Sequence, residues 1–291
     1  MKLDDFRFLR SGKSIRALAP NEAHLLAPIN IRTKHHDHAL LLLHGFTSSP
    51  AVYRLMVPAL TSSYDAIVCP LLPGHGESIR AFAAAKSNEW VETAEQAYKA
   101  LAKDYKKIDV LGLSLGGILA CHLSQSYPIN HLYLLAPALK VQFNLPLALI
   151  TARVLNKLGF RSLRTQGGNL HSTTECELVY KKLPVTTIIE MLSFINEFKA
   201  IPASCPTDLF LGRFDTTVDI HFIEKKFKPV KNCKTHWLEH SAHVLPLDND
   251  VNHIIDCIKK NTALSEQSHP RHNDTPPENF TAPLKGDLGV F

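Results

Sequence analysis

The sequence predicts an α/β protein in which a mostly parallel sheet is flanked by helices. Two observations point there. Short apolar runs recur along the chain: ALLLL (39–43), AIVC (66–69), DVLGL (109–113), HLYLLA (131–136), TDLFLG (207–212) and THWLE (235–239). They are continuous rather than alternating, which suits strands buried on both faces. Between them lie stretches of helical periodicity, and strands that alternate with helices build a parallel sheet covered on both sides.

The elements follow in chain order. Residues 1–37 form an N-terminal segment with room for edge strands. HHDH (His35, His36, Asp37, His38) stands just before the first strong strand. Neighbouring side chains on extended chain point to opposite faces, so it reads as a polar loop rather than a metal cluster. After the strand at 39–43, Ser49 and Pro50 suit the N-cap and first position of a helix reaching about Leu60. In 87–105, Trp90, Ala94, Ala97, Tyr98, Leu101 and Tyr105 fall at helical spacing, with Ser87 or Asn88 as cap. A helix follows LSLGG (113–117) up to Ser126, before Pro128. From about 141 to 203 no clear strand is visible. There Asn144–Pro146 starts a helix that ends near Gly159, and a second spans 186–198, which reads as a helical insertion. A helix at 250–260 closes the main domain, taken as 38–262. The tail, 263–291, contains SHPRHNDTPPEN, buries little and reads as disordered.

Composition narrows the function. The 291 residues are 45% hydrophobic and 20% charged, enough for a sizeable core. A net charge of +5 without a long Lys/Arg run does not indicate nucleic-acid binding. The six cysteines have no metal-type spacing and mostly sit in apolar runs, as buried thiols do in a reducing compartment. MKLDDFRFLRSGKS carries early aspartates and no long apolar stretch, so neither a signal peptide nor a membrane span is expected. A cytoplasmic location is the expectation.

One stretch asks for a chemical reading. GLSLG (112–116) matches G-x-S-x-G between a predicted strand and a predicted helix, the setting of a nucleophile elbow. It puts Ser114 at the carboxyl edge of the sheet and at a helix N-terminus, where N–H groups favour an oxyanion. A serine needs a base, and the base an orienter. On this architecture the order is Ser, then Asp or Glu, then His. Asp215 follows the strand at 207–212, and His243 follows the strand at 235–239. Asp219 competes but suits a helix start. His240 and His236 compete with His243, though His236 lies within the strand and His240 close to its end. Asp109 precedes the elbow on its own strand. Phe46, after the strand ending LLLHGF, and Leu115 supply backbone N–H groups for an oxyanion hole. His44 reads as a loop-fixing residue because it precedes the nucleophile.

These pieces together resemble a serine hydrolase of the α/β-hydrolase fold, and more narrowly the carboxylesterase and monoacylglycerol lipase branch. LLLHGFTSSP (41–50), PLLPGHGES (70–78), GLSLGG (112–117), LLAPAL (134–139), GRFDTTVD (212–219) and SAHVLPLD (241–248) occur in that family's order over about 38–260. The resemblance implies Ser114 as nucleophile, His243 as base and acid, Asp215 as orienter, and oxyanion N–H groups from Phe46 and Leu115. His75, in the loop after the second strong strand, is then structural. Two departures stand out: Ala242 where the family often has Gly, and Asp219 where it often has Pro. The insertion at 141–203 becomes a cap over the site. Its surplus apolar residues, among them Phe143, Leu147, Ile150, Val154, Ile188, Met191 and Leu192, either line an acyl pocket or pack cap to core. The implied activity is hydrolysis of small or medium acyl esters or monoacylglycerol-like esters, with no metal or cofactor. A lipophilic small-molecule ester is the expected partner. An acyltransferase or thioesterase would use the same triad, and a non-catalytic binding protein would keep only the fold.

Overall fold

The computed structural model describes residues 2–198 and 205–268. Two short strands come first, β1 (Phe6–Arg10) and β2 (Lys13–Ala17), followed by β3 (Ile29–Arg32). Next come β4 (His38–Leu43), α1 (Val57–Leu60), β5 (Ala66–Cys69), α2 (Ile79–Ala84) and α3 (Ser87–Asp104). The central run ends with β6 (Lys107–Leu113), α4 (Leu115–Ser126) and β7 (His131–Leu135). The insertion holds α5 (Leu145–Lys157), β8 (Ser162–Arg164), β9 (Glu177–Tyr180), β10 (Lys182–Pro184) and α6 (Val185–Glu197). The chain returns through β11 (Thr207–Gly212), α7 (Ile220–Phe227), β12 (Cys233–Leu238) and α8 (Val251–Ser268).

A seven-stranded sheet runs in the order β12-β11-β7-β6-β4-β5-β3. All its pairings are parallel except that of the edge strand β3 with β5. Every residue of β4 and β11 is buried, and both runs are apolar beyond their first polar residues, His38 in β4 and Thr207 and Asp208 in β11. The connection from β4 to β5 moves one way across the sheet, and that from β5 to β6 moves back. Right-handed crossovers therefore put α1 on one face and α3 on the other. The contacts agree: α3 touches α4, and α1 touches α8.

The insertion is not purely helical. Its β9 pairs antiparallel with β1, Phe6 opposite Tyr180, and β8 pairs with β10. β1, β2 and β9 make a small sheet of their own. ELVY (177–180) is only four residues long and finds its partner at the other end of the chain, so local pattern could not declare it. Residues 199–204, where the insertion was expected to end, lie outside the described residues.

Three further expectations need correction. The stretch 49–60 is a 3-10 turn (Pro50–Tyr53) followed by the single-turn α1, and Ser49 gives no side-chain cap. Pro58 fits only the first turn of a helix, so the helix restarts at Val57 instead of running through. The cap of α3 lies one residue early, where the Glu89 carboxylate accepts the Lys86 N–H at 2.7 Å. His38 is not in a loop: it is the buried first residue of β4, with Nε2 3.1 Å from Asp109.

The last helix also runs past Lys260 to Ser268, with Thr262 buried and the Lys107 ammonium on Ser265 O. The rest of the expected tail, 269–291, lies outside the described residues.

Candidate active site

The strand order makes one point of the sheet special. β4 leads to β5 on one side, while β6 leads to β7 on the other, so loops leaving their carboxyl ends separate and open a crevice. The loop after β4 carries Phe46, and the turn after β6 carries Ser114.

Ser114 has φ 53 and ψ −109, a conformation that L-residues rarely adopt and that costs about 1–3 kcal/mol. Its neighbours hold it there. Ser114 N donates to Leu135 O at 3.0 Å, and Ser114 O accepts from Gly117, Ile118 and Ala138. The glycines give the turn clearance. A Cβ on Gly116 would stand 1.9 Å from Leu43 O, and one on Gly112 would stand 2.2 Å from Gly116 O. Leu115 opens α4, so its N–H has no acceptor within the helix, while its side chain is fully buried. Phe46 lines the same cavity as Ser114.

Asp215 and His243 arrive from β11 and β12. Both are buried, and His243 Nδ1 lies 2.8 Å from Asp215 Oδ2. An ionised carboxylate only accepts, so Nδ1 carries the proton and Nε2 keeps a free lone pair. The other Asp215 oxygen accepts from Thr217 N (2.7 Å) and Val218 N (3.0 Å), which fixes the carboxylate. Burial pushes the His243 pKa down, but the Asp215 charge and hydrogen bond, with the Glu177 charge, raise it above its ordinary value. Ser114 and His243 both line a cavity of about 330 Å³ under the insertion. Among the described residues no hydrogen bond joins them, as is common before substrate binds.

The competing residues are placed elsewhere. Asp219 caps α7 by accepting Phe222 N at 3.0 Å. His240 is exposed and faces Asp250, and His236 sits within β12 against Asp208. Asp109 binds the Tyr64 hydroxyl and Asn130. His44 is wholly buried between Gly45 O and Leu72 N, and burial lowers its pKa to about 4, so it is a neutral strut. His75 packs against the His44 and Phe82 rings.

The alpha/beta hydrolase family model matches residues 40–251, which take in the elbow, the Asp215 loop and the His243 loop. The chain belongs to the alpha/beta hydrolase family. Among its relatives, the thermostable monoacylglycerol lipase of Bacillus sp. (strain H-257) is 26% identical over 222 residues, 75% of this chain and 87% of that protein. The carboxylesterase of Bacillus subtilis (strain 168) is 24% identical over 220 residues, 74% of this chain and 87% of that one. Among solved structures, a metagenome-derived lipolytic enzyme described with LipS and LipT superposes with a TM-score of 0.71 at 23% identity. It covers 82% of this chain and 98% of its own.

In this hydrolase the loops are braced by residues that no motif announced. Asn169 O accepts from His243 N (3.0 Å) and Val244 N (3.2 Å), while its side chain holds Phe214 O and Thr216 N. Gln142 binds the carbonyls of Asp215 and Val218. The Asp248 carboxylate accepts Ala242 N, His171 N, Ser172 N and Asn249 N. Gly212 lets the two loops touch: a Cβ there would lie 2.1 Å from Ala242 O. Their only sequence signal is polarity or small size beside the expected site.

Glu177 is a further surprise. It is buried at the cavity wall of the hydrolase, accepts Gly168 N at 3.0 Å, and burial raises its pKa.

Phe143, Leu163, Ile188, Met191 and Leu192 give the wall an apolar side, while Arg164, Thr165, Gln166 and Thr217 also line it. Phe194 packs on the core instead. Leu147, Ile150 and Val154 do neither, being roughly half exposed on α5.

Proposed function

We propose that the protein is a carboxylic ester hydrolase working through an acyl-enzyme, with Ser114 as nucleophile, His243 as base and acid, and Asp215 as orienter. The observation that carries this reading is Ser114, held at φ 53 on the wall of the cavity that His243, bonded to buried Asp215, also lines. No structural need of the turn explains a strained, non-glycine residue at that point; presenting a hydroxyl does.

Ser114 Oγ attacks the acyl carbon while His243 Nε2 takes its proton. The developing oxyanion sits on the Phe46 and Leu115 N–H groups, each worth about 3–4 kcal/mol in the transition state. Imidazolium forms beside Asp215, whose charge is already there to stabilise it. His243 then protonates the leaving alcohol, and water releases the acyl group by the reverse proton path. Every step uses side chains and backbone N–H groups of this chain.

The apolar wall contributed by the insertion supports a lipophilic acyl group, and the lipase and carboxylesterase relatives support an ester substrate. A cavity of about 330 Å³ stands at the small end for ligand sites, which favours small or medium acyl chains or a monoacylglycerol-like ester. No helix among the described residues is long and apolar enough to cross a membrane, and the six cysteines are free. Free thiols favour a reducing compartment, the cytoplasm in our reading.

The test is a panel of p-nitrophenyl and monoacylglycerol esters graded by acyl length, run beside Ser114→Ala. Activity that peaks at one chain length and vanishes in the variant supports the proposal. Unchanged hydrolysis by Ser114→Ala refutes it, and fluorophosphonate labelling of any residue but Ser114 does too. Thioesters and competing alcohols in the same panel separate hydrolysis from acyl transfer.

A further inference from the structure

Towards the strand ends away from Ser114 lies a second group of reactive side chains that ester hydrolysis does not use. Asp208 near the start of β11, His236 in β12 and Cys257 on α8 bring a carboxylate oxygen, a ring nitrogen and a thiol within 4.8 Å of one another. His236 Nε2 lies 2.6 Å from Asp208 Oδ1 and 3.9 Å from Cys257 Sγ. Asp208 and His236 are buried, Cys257 is partly buried, and the neighbouring His253 is exposed, which leaves a way in from solvent.

A second ring of partners already orients these groups. Asp208 Oδ2 is held by His131 Nε2 at 2.7 Å and Asn261 Nδ2 at 2.8 Å, which leaves Oδ1 to face His236. His236 Nδ1 faces His253 Nε2 at 3.4 Å, and its ring stacks on Phe210 at 4.6 Å. A ligating histidine whose other nitrogen is bonded, beside a carboxylate whose other oxygen is bonded, is the usual outer shell of a metal site.

We propose that Asp208, His236 and Cys257 bind a divalent transition metal, with Zn2+ the ion of choice and water as the fourth ligand. One oxygen, one nitrogen and one sulfur donor is a mixture that Zn2+ accepts. Tetrahedral bonds of about 2.0–2.3 Å place donors about 3.3–3.7 Å apart. The His–Asp pair is closer than that, the His–Cys pair slightly wider and the Asp–Cys pair within 4.8 Å, so shifts of about 1 Å bring all three into range. Binding forms one bond each from the metal to oxygen, nitrogen and sulfur. The Cys257 thiol loses its proton to solvent. His236 moves its ring proton from Nε2 to Nδ1, where His253 Nε2 accepts it, so one proton is released per ion. The ion would tie the strands that lead to Asp215 and His243 onto α8.

The test is Co2+ titration of the chelator-treated full-length protein. One equivalent, with a thiolate-to-cobalt charge-transfer band and the intense visible bands of a tetrahedral ion, is expected, and Zn2+ should displace it with one proton released. Cys257→Ala keeps the Asp208–His236 pair, so it should fold, hydrolyse esters normally, lose the charge-transfer band and bind Zn2+ at least about ten-fold more weakly. His131→Gln should weaken binding by about 10–100-fold while keeping the band. Cys233→Ala and the double variant His35→Ala/His36→Ala should keep both band and affinity. A wild-type protein without the band, or a Cys257→Ala protein that retains it, overturns the proposal.

Discussion

Replacing Gly212 by alanine separates the two loops that carry Asp215 and His243. The added Cβ would lie 2.1 Å from Ala242 O and 2.6 Å from Ser241 O, against the 3.0 Å below which such contacts are essentially never found. The obstacle is backbone, so it cannot rotate away. The Ala242 carbonyl must retreat by about 0.9 Å, and His243 is the next residue. If His243 follows rigidly, the 2.8 Å contact to Asp215 opens to about 3.7 Å, beyond hydrogen-bond range. Misplacement of this size at a reacting group costs about 100-fold in rate, and the overpacking costs about 1–3 kcal/mol of stability. The variant's pH profile should also move. With Asp215 further off, burial dominates, and the pKa governing kcat/KM falls towards or below the ordinary histidine value. The assay is kcat/KM on a chromogenic ester across pH, with circular dichroism and thermal unfolding to establish folding. A folded Gly212→Ala protein with wild-type kcat/KM and an unshifted pH profile would refute the reasoning.

Other outcomes follow from the same geometry. Asp215→Asn removes the charge that raises the His243 pKa, so kcat should fall about 10⁴-fold and the acid limb should move to lower pH. Because the folded-state pKa of His243 is raised, its share of stability is present below pH ~6.5 and lost as pH rises through the folded value. Unfolding of wild type and Asp215→Asn at several pH values should show that share disappear in the variant. Gly116→Ala pushes a Cβ to 1.9 Å from Leu43 O and should prevent or cripple folding, measured by soluble yield and unfolding midpoint. Gly45→Ala meets nothing nearer than 3.6 Å and should change stability by less than about 1 kcal/mol. Met191→Trp should fill part of the cavity and shift the preferred acyl chain shorter in the ester panel, with short-acyl rates retained.

The strands of the main sheet were readable because burial on both faces favours runs of apolar residues, as in β4 after His38 and in β11 after Asp208. Ser114, Asp215 and His243 could be nominated because each follows a strand of the main sheet at the same edge. Elements made by distant pairing were not readable. β9 is stabilised by β1, and a four-residue run carries no periodicity of its own. The braces Asn169, Gln142 and Asp248 act through backbone atoms of loops, so nothing in their own residue type names their partners. Asp208, His236 and Cys257 escaped the cysteine-spacing test because they come from three elements that meet only in the folded sheet. His38 reads as part of an exposed tract because the other three residues of HHDH are polar, yet Asp109 and Asn130 face it in the fold.

The pairing of β1 with β9 also bears on how the chain is made. Phe6 meets Tyr180, so β1 leaves the ribosome and waits for a partner about 170 residues behind it. At about 5–20 residues per second, that wait is on the order of 10–30 s. Throughout it β1 has β2 as its one strand partner, and a two-stranded hairpin is marginal in water. The small sheet therefore cannot close until the insertion has emerged, and biosynthesis must shelter an apolar edge until then.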